Sequence, residues 1–243
     1  MVSEPDRTNA SLARIRAAVL RALGEGEGES DTLARVCQTS VELLPVDGAS
    51  ISVMTGRKNR ETLYASDEVV SRIEALQFSL GEGPCYEAFD TGRPVLVPDL
   101  ANDPATTWPV FAGEMITEPV GAIFAFPLAR GAISIGALNL YRHHPGWLSP
   151  TELATALQVV DIAAIALLGV HLDESNAEKW LELPGDRAQI HQATGMLIAA
   201  FGIPAEHALA RLRAYAFAGG HLVDDVARDL VTRKLTPADI QNS

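Results

Sequence analysis

The sequence predicts an α+β fold, a largely antiparallel sheet flanked by helices, followed by a small C-terminal three-helix bundle. Three observations predict it. Short runs of strand character at residues 49–54, 94–97, 122–128 and 133–141 are joined by Gly and Pro turns and flanked by segments of helical period. Beyond Pro184-Gly185 strand character gives way to helical stripes alone. The charge changes at the same boundary: from Asp186 onward 6 Lys+Arg cancel 6 Asp+Glu, so the whole net charge of −12 lies in front of it.

The elements follow in order. Leu12, Ile15, Val19, Leu20 and Leu23 recur at helical spacing before Gly24, and a Gly/Glu-rich linker runs to Ser30. Asp31 to Leu44 reads as a helix stopped before Pro45. The stretch Ala49-Ser50-Ile51-Ser52-Val53-Met54 alternates small or polar with apolar residues, as a strand does, and a turn at 55–59 follows. Pro94 to Val97 and Ala122 to Leu128 are further strands, Gly131 is a turn, and Ile133 to Tyr141 is the next strand. Ser149 caps a helix that Pro150 opens. Its positions Leu153, Leu157, Val160, Ala164 and Leu167 form a heptad-like seam, either a face packed on the sheet or a dimer helix.

In the bundle, Asp186 caps a helix whose Ile190, Ala193, Leu197, Ile198 and Phe201 share one face, and Gly202 ends it. Pro204 opens the next, with Ala208, Leu209, Leu212, Tyr215 and Ala216 inward and Gly219-Gly220 as its stop. A third carries Leu222, Val226, Ala227, Leu230 and Val231, and Thr236-Pro237 starts a last turn. A bundle of this size is marginally stable alone and gains from docking on a partner. The expected division is an N-terminal helix and linker over 1–30, a sensor domain over 31–172, a linker over 173–185 and a helical module over 186–243.

Composition narrows the function. The segment over 1–30 carries Glu4, Asp6, Glu25, Glu27 and Glu29 and has no signal-peptide pattern. The apolar run around Val159–Val170 is broken by Asp161, so no bilayer span, no membrane partner and a cytoplasmic location are expected. Cys37 and Cys85 are too few for a disulfide framework or a multi-cysteine zinc site. No P-loop, nucleophile elbow, HExxH or Rossmann glycine pattern is present, and no enzyme activity is expected. An anionic body repels nucleic acid, so any such partner belongs on the neutral C-terminal piece.

Two resemblances sharpen this reading. Leu44 to Ser50, Leu80 to Cys85 and Gly136 to Tyr141 resemble a GAF domain, a ligand-sensing relative of PAS domains. From Asp186 to about Ile240 the chain resembles an ANTAR domain, through Arg187, Ile190, Gln192 to Leu197, Ala208, Leu212-Arg213, Ala216 and Leu222 to Ala227. The second resemblance implies a regulator that binds paired RNA hairpins in nascent transcripts and prevents termination; the first implies control by a GAF ligand, and a homodimer is expected from the seam over 153–167 and the small bundle. The RNA-contact candidates are Arg187, Gln192, Thr194, Gly195 and Arg213 among the matched residues and, by side-chain chemistry, Arg211, Tyr215, His221 and Arg228.

The residues allow two readings of several of these. The arginines suit phosphates, and Tyr215 or His221 suits stacking on an unpaired base, while Tyr215 at its helical register also suits the core. Ala193 and Gly195 remove bulk, either for a neighbouring helix or for an RNA backbone. Thr194 stands where many ANTAR modules are basic, and Gly219-Gly220-His221 is shorter than the family's basic turn. Each lost phosphate contact weakens electrostatic affinity, so the alternative is a protein-interaction adaptor whose module no longer binds RNA. The sensor ligand and cofactor are left unspecified. Asn139 is followed by Leu140 rather than the lysine of cyclic-nucleotide GAF domains, Cys85 reads as a buried structural thiol, and His143-His144 as solvated loop histidines.

Overall fold

The computed structural model describes residues 29–54, 60–102, 107–131, 133–171 and 187–241, with Ala10, Ala13 and Ala17. The apolar positions Leu12, Ile15, Val19, Leu20 and Leu23, the turn at 55–59, the linker and Asp186 lie outside the described residues.

Helix α1 (Glu29–Leu43) leads into β1 (Gly48–Met54) and β2 (Arg60–Ala65). Helices α2 (Glu68–Leu80) and α3 (Pro84–Thr91), strand β3 (Val95–Val97) and helix α4 (Pro109–Met115) precede the long hairpin β4 (Ala122–Arg130) and β5 (Ile133–Arg142), and α5 (Pro150–His171) closes the sensor part. The five strands lie in the order β2-β1-β5-β4-β3, every neighbouring pair antiparallel. Successive side chains of a strand point to opposite faces. Ala49, Ile51 and Val53 therefore join Phe124, Phe126, Leu138 and Leu140 in a core covered by α1 and α5. On the other face β1 carries Ser50, Ser52 and Met54, and α2, α3 and α4 lie there. All of β1 is buried, so its two serines sit inside a three-layer sandwich and not toward water.

Local chemistry sets the helix ends. The Asp67 carboxylate accepts the Val70 N–H at 2.9 Å to start α2, and Gly81 at φ 70° ends it in the left-handed region that favours glycine. At α5 Ser149 and Glu152 exchange side-chain and backbone hydrogen bonds of 3.3 and 2.6 Å, a capping box that fulfils the expectation of a Ser149 cap. Glu82 accepts the N–H groups of Val110 and Phe111 at 2.9 Å, fixing the start of α4.

The seam expected on α5 divides. Ala164 and Leu167 are buried against the sheet with Ala156, Val159 and Ala163, whereas Leu157 is 44% exposed. The helix that continues from Pro150 to His171 is long and apolar enough, by length and composition, to cross a bilayer, because helical continuity carries it through Asp161. The bent pair Ala188–Phe201 with Ala205–Ala218 passes the same test. In the fold both contribute their buried faces to water-excluding cores.

Helices α6 (Ala188–Phe201), α7 (Ala205–Ala218), α8 (Val223–Val231) and the short α9 (Pro237–Gln241) form the bundle. Arg187, and not Asp186, stands at the cap position of α6; Pro204 and Leu222 stand at the caps of α7 and α8, one residue before the helices begin. Ile198, expected on the inner face, is 36% exposed, because it lies about 100° around α6 from the buried Leu197 and so off the face that packs. The buried core is Ile190, Ala193, Leu197, Ala208, Leu212, Ala216, Val223, Val226, Ala227, Leu230 and Ile240, and it includes Phe78 from α2. The bundle thus closes its core with a ring lent by the sensor domain. Burying such a ring is worth on the order of 2–3 kcal/mol, which a core this small needs. A hydrogen bond from the Val223 N–H to Ser79 Oγ, 3.1 Å, fixes the same seam.

Candidate functional site: the seam between sensor and helical module

The inner polar face of the sheet centres on Glu74 of α2. Its Oε1 accepts from Ser50 Oγ at 2.7 Å and Asn139 Nδ2 at 2.5 Å, and its Oε2 accepts from Ser52 Oγ at 2.8 Å and from the Arg60 guanidinium. Burial pushes the Glu74 carboxyl up, but the Arg60 charge and these hydrogen bonds outweigh it and hold the group below the usual carboxylate range. The residue is 2% exposed, as a buried charge is only when paired and fully hydrogen-bonded. Beside it the Cys85 N–H donates to Gln77 Oε1 at 2.8 Å. Burial pushes the Cys85 thiol up to about 12 and the Cys37 thiol higher still, so both are un-ionised at neutral pH, as expected of structural cysteines. His143 and His144 are exposed loop residues as read from the sequence, and no His/Cys/Asp/Glu group among the described residues is arranged to hold a metal ion.

The helical module reaches this polar core through two of its own arginines. Arg187 is 4% exposed; its Nη1 donates to the Arg60 backbone carbonyl at 2.7 Å and its guanidinium lies 3.6 Å from the Phe78 ring centre. Burial, and then the nearby Arg60 charge, lower its pKa to about 10, so it stays charged at neutral pH. Arg213 of α7 lies 4.8 Å from the same ring, and burial lowers its pKa too. Its Nε and Nη2 are buried without a hydrogen-bond partner, and so are Arg60 Nε and Nη1 and Gln77 Nε2. The Tyr86 hydroxyl sits against both the Arg60 and Arg213 guanidiniums and helps hold their charge, though it completes no well-formed hydrogen bond. A polar cavity of about 250 Å³ opens beside Arg187, lined by Thr62, Tyr64, Ser71 and Glu74; a smaller one of about 40 Å³, lined by Leu76, Ser79 and Phe217, lies beside Arg213.

The other RNA-contact candidates stand apart from this seam. Gln192 and Gly195 are exposed three residues apart on α6, and none of the described residues lies within 4 Å of where a Gly195 side chain would begin. Of the two readings of Gly195, packing by a helix of the same chain is therefore the one the fold does not use. Thr194 turns its hydroxyl back to the Ile190 carbonyl at 2.7 Å. Arg211 is exposed and lies 5.2 Å from the Phe201 ring, His221 is exposed, and Arg228 is exposed and paired with Asp225 at 2.9 Å. Tyr215 packs, partly buried, against the bundle core.

Sequence reasoning missed Arg60, Glu74, Gln77, Phe78 and Tyr86, along with strand β2 and helices α2, α3 and α4. One signal for part of this was there: Ser50 and Ser52 alternate in a strand, and Glu74 and Gln77 stand three apart, on one side of a helix.

A helix-covered antiparallel sheet with a hydrogen-bonded polar interior is abutted by an all-helical module. Comparison places it more closely. Residues 26–168 match the GAF domain and residues 185–231 the ANTAR domain. The chain belongs to the GAF domain family and carries an ANTAR domain behind it, which makes it a regulator built from sensing and regulatory modules. No curated protein matches it. Among solved structures it is similar to the GAF domain of an Acinetobacter phosphoenolpyruvate-protein phosphotransferase (TM-score 0.53, 12% identity, 69% of this chain and 96% of that one). The corresponding GAF domain from Coxiella burnetii gives 0.52, 15%, 68% and 98%. A free methionine-R-sulfoxide reductase from Neisseria meningitidis, solved with its substrate, gives 0.51, 14%, 70% and 94%. At these identities the likeness shows the fold alone.

Proposed function

We propose that this chain is a cytoplasmic, signal-responsive regulator that binds RNA hairpins in nascent transcripts and acts in antitermination, with the GAF domain controlling the ANTAR module. The observation that carries the reading is the burial of Arg187 and Arg213 on Phe78. Two of the phosphate-binding candidates are masked by the sensor, while Gln192, Gly195, Arg211, His221 and Arg228 face solvent. A signal that favours the undocked pose over the docked one frees the two masked arginines, and only such differential affinity shifts the balance. A second copy, meeting through the exposed side of α5 around Leu157, would double the footprint of a module whose own charge is neutral.

The test is gel-shift titration of paired-hairpin RNA over a salt series with the full chain and with Phe78→Ala. The expected result is tighter, loop-sequence-dependent binding by the variant. Its salt slope should be steeper by roughly 2 if both arginines reach phosphates. Binding by neither protein at any salt removes the RNA reading and leaves the module as a protein-docking adaptor.

A further inference from the structure

Helix α2 belongs to two cores at once. Glu74 and Gln77 serve the polar interior of the sensor, while Phe78 completes the core of the helical module and Ser79 Oγ accepts the Val223 N–H of α8 at 3.1 Å. The helix packs on both α7 and α8. The two cores are also joined outside it. Arg60 binds the Glu74 carboxylate with its side chain and accepts from Arg187 Nη1 with its backbone carbonyl at 2.7 Å. Thr62 Oγ1 donates to Glu74 Oε2 at 3.4 Å and accepts from Arg187 Nη2 at 3.5 Å. Arg187 in turn lies 3.6 Å from the centre of the Phe78 ring, one helical turn beyond Glu74. The contacts therefore close a ring: Glu74 to Arg60, Arg60 to Arg187, Arg187 to Phe78, and back along α2 to Glu74. Opening one contact of a ring frees its neighbours to move, so such groups couple instead of adding.

We propose that the Glu74 cluster is the lock of an autoinhibitory contact: Glu74 holds Arg60 and Thr62 in place as the platform for Arg187, and loosening the cluster releases the helical module without unfolding either part. This rests on reading the front domain as the module's controller, and it names the residues through which that control passes. The hydrogen bonds of Glu74 run to Ser50, Ser52, Arg60, Thr62 and Asn139, all of the sensor, so it acts on the module as a positioning residue. The platform needs such a hold. Strand β2 lies at the edge of the sheet and pairs with β1 alone, so side-chain contacts do part of the work that a second strand does elsewhere. Thr62, Glu74 and Arg187 also line the polar cavity of about 250 Å³, so the ring is reached from that cavity with both modules folded. By linkage, the docked module steadies the Glu74 cluster as much as the cluster steadies the docking.

The experiment is hydrogen–deuterium exchange of the full chain, followed amide by amide by NMR. The Val223 N–H, bonded across the seam to Ser79, reports docking. The Val226 N–H, bonded to the Leu222 carbonyl at the start of α8, reports the module's own fold, and the amides of β4 and β5 report the sensor's. Wild type, Glu74→Gln, Arg187→Gln, their double variant and Thr62→Val are compared. Glu74→Gln should speed exchange at Val223 by roughly tenfold or more, which corresponds to about 1.4 kcal/mol, and leave the other reporters within about twofold of wild type. Arg187→Gln should do the same. The double variant should exchange at Val223 no faster than Arg187→Gln alone, since a lock that acts through Arg187 then has nothing left to release. Thr62→Val, which removes only the shared hydroxyl, should act in the same direction by about twofold to fivefold, the low end for a hydrogen bond. Wild-type protection of Val223 in Glu74→Gln or Arg187→Gln, or effects that multiply in the double variant, overturns the lock. Should Glu74→Gln loosen β4 and β5 as much as Val223, Thr62→Val decides: exchange at Val223 rising above that of β4 and β5 supports the lock, and anything less overturns it. No readout involves RNA, so failure here leaves the RNA reading standing, and the reverse holds.

Discussion

The two faces of the sheet are built from the same strands and solve opposite problems. Against α1 and α5, Ile51, Phe124, Phe126, Leu138 and Leu140 bury only carbon, and the energy comes from removing apolar area from water. Against α2, Ser50, Ser52 and Asn139 bury polar groups around Glu74 and Arg60, and nothing is gained there unless each group finds a partner. On one face a substitution is felt chiefly as volume. On the other it is felt chiefly as lost pairing. The polar face is also where the ANTAR module docks, so the costly face is the one that faces the output.

Single substitutions should separate the two faces. The largest effect is expected from Glu74→Ala, which leaves the Arg60 charge buried and unpaired; urea unfolding should show a loss of about 3–5 kcal/mol. The double variant Arg60→Met with Glu74→Leu should regain most of that loss, because a matched pair removed together leaves fewer unmet groups. If it stays as unstable as the single variant, the polar face is held by its network as a whole and not by the charge pair. Phe124→Ala on the apolar face should cost about 3–5 kcal/mol as well, but no polar partner change will rescue it, since the loss is volume.

Acid should act on one face only. Glu74 has a folded pKa below its unfolded value of about 4.3, so its stabilisation is present above that pH and is lost as the pH falls through the folded value. Melting temperatures measured from pH 6 down to pH 3 should therefore fall more steeply for wild type than for Glu74→Gln, whose position does not titrate. Parallel curves would mean that other carboxylates carry the acid response. The smallest effect belongs to the module's exposed surface. Gly195→Ala meets open space and should stabilise α6 by up to about 1 kcal/mol in thermal melts. Weakened RNA binding by the same variant would mark the α6 surface as a contact, whereas unchanged binding would move the contact elsewhere on the module.

Legibility followed how local the signal was. Ser149 announced its capping box three residues from Glu152, Gly131 and Gly202 marked turns, and the apolar stripes of the bundle located its helices, all from neighbours in sequence. Helix α2 was missed because its inner side carries Glu74 and Gln77, which read as solvent-facing until β1 and β5 supply partners for Glu74 and the Cys85 N–H of α3 supplies one for Gln77. Arg187 was read as an RNA contact, for its charge and its place in the ANTAR pattern were visible. Its pairing with the Arg60 carbonyl, 127 residues away, was not.

The sequence by itself determined the order of the parts: strands that alternate, helices with one apolar stripe, and a neutral helical tail behind an acidic body. These depend on periodicity and composition, which any window of the chain displays. Only the tertiary structure decided that the second face of the sheet is buried, that Phe78 completes the core of another module, and that Arg187 and Arg213 are turned inward. Each of those is a pairing between distant segments, and the energy of a buried charge or donor depends on who sits opposite it.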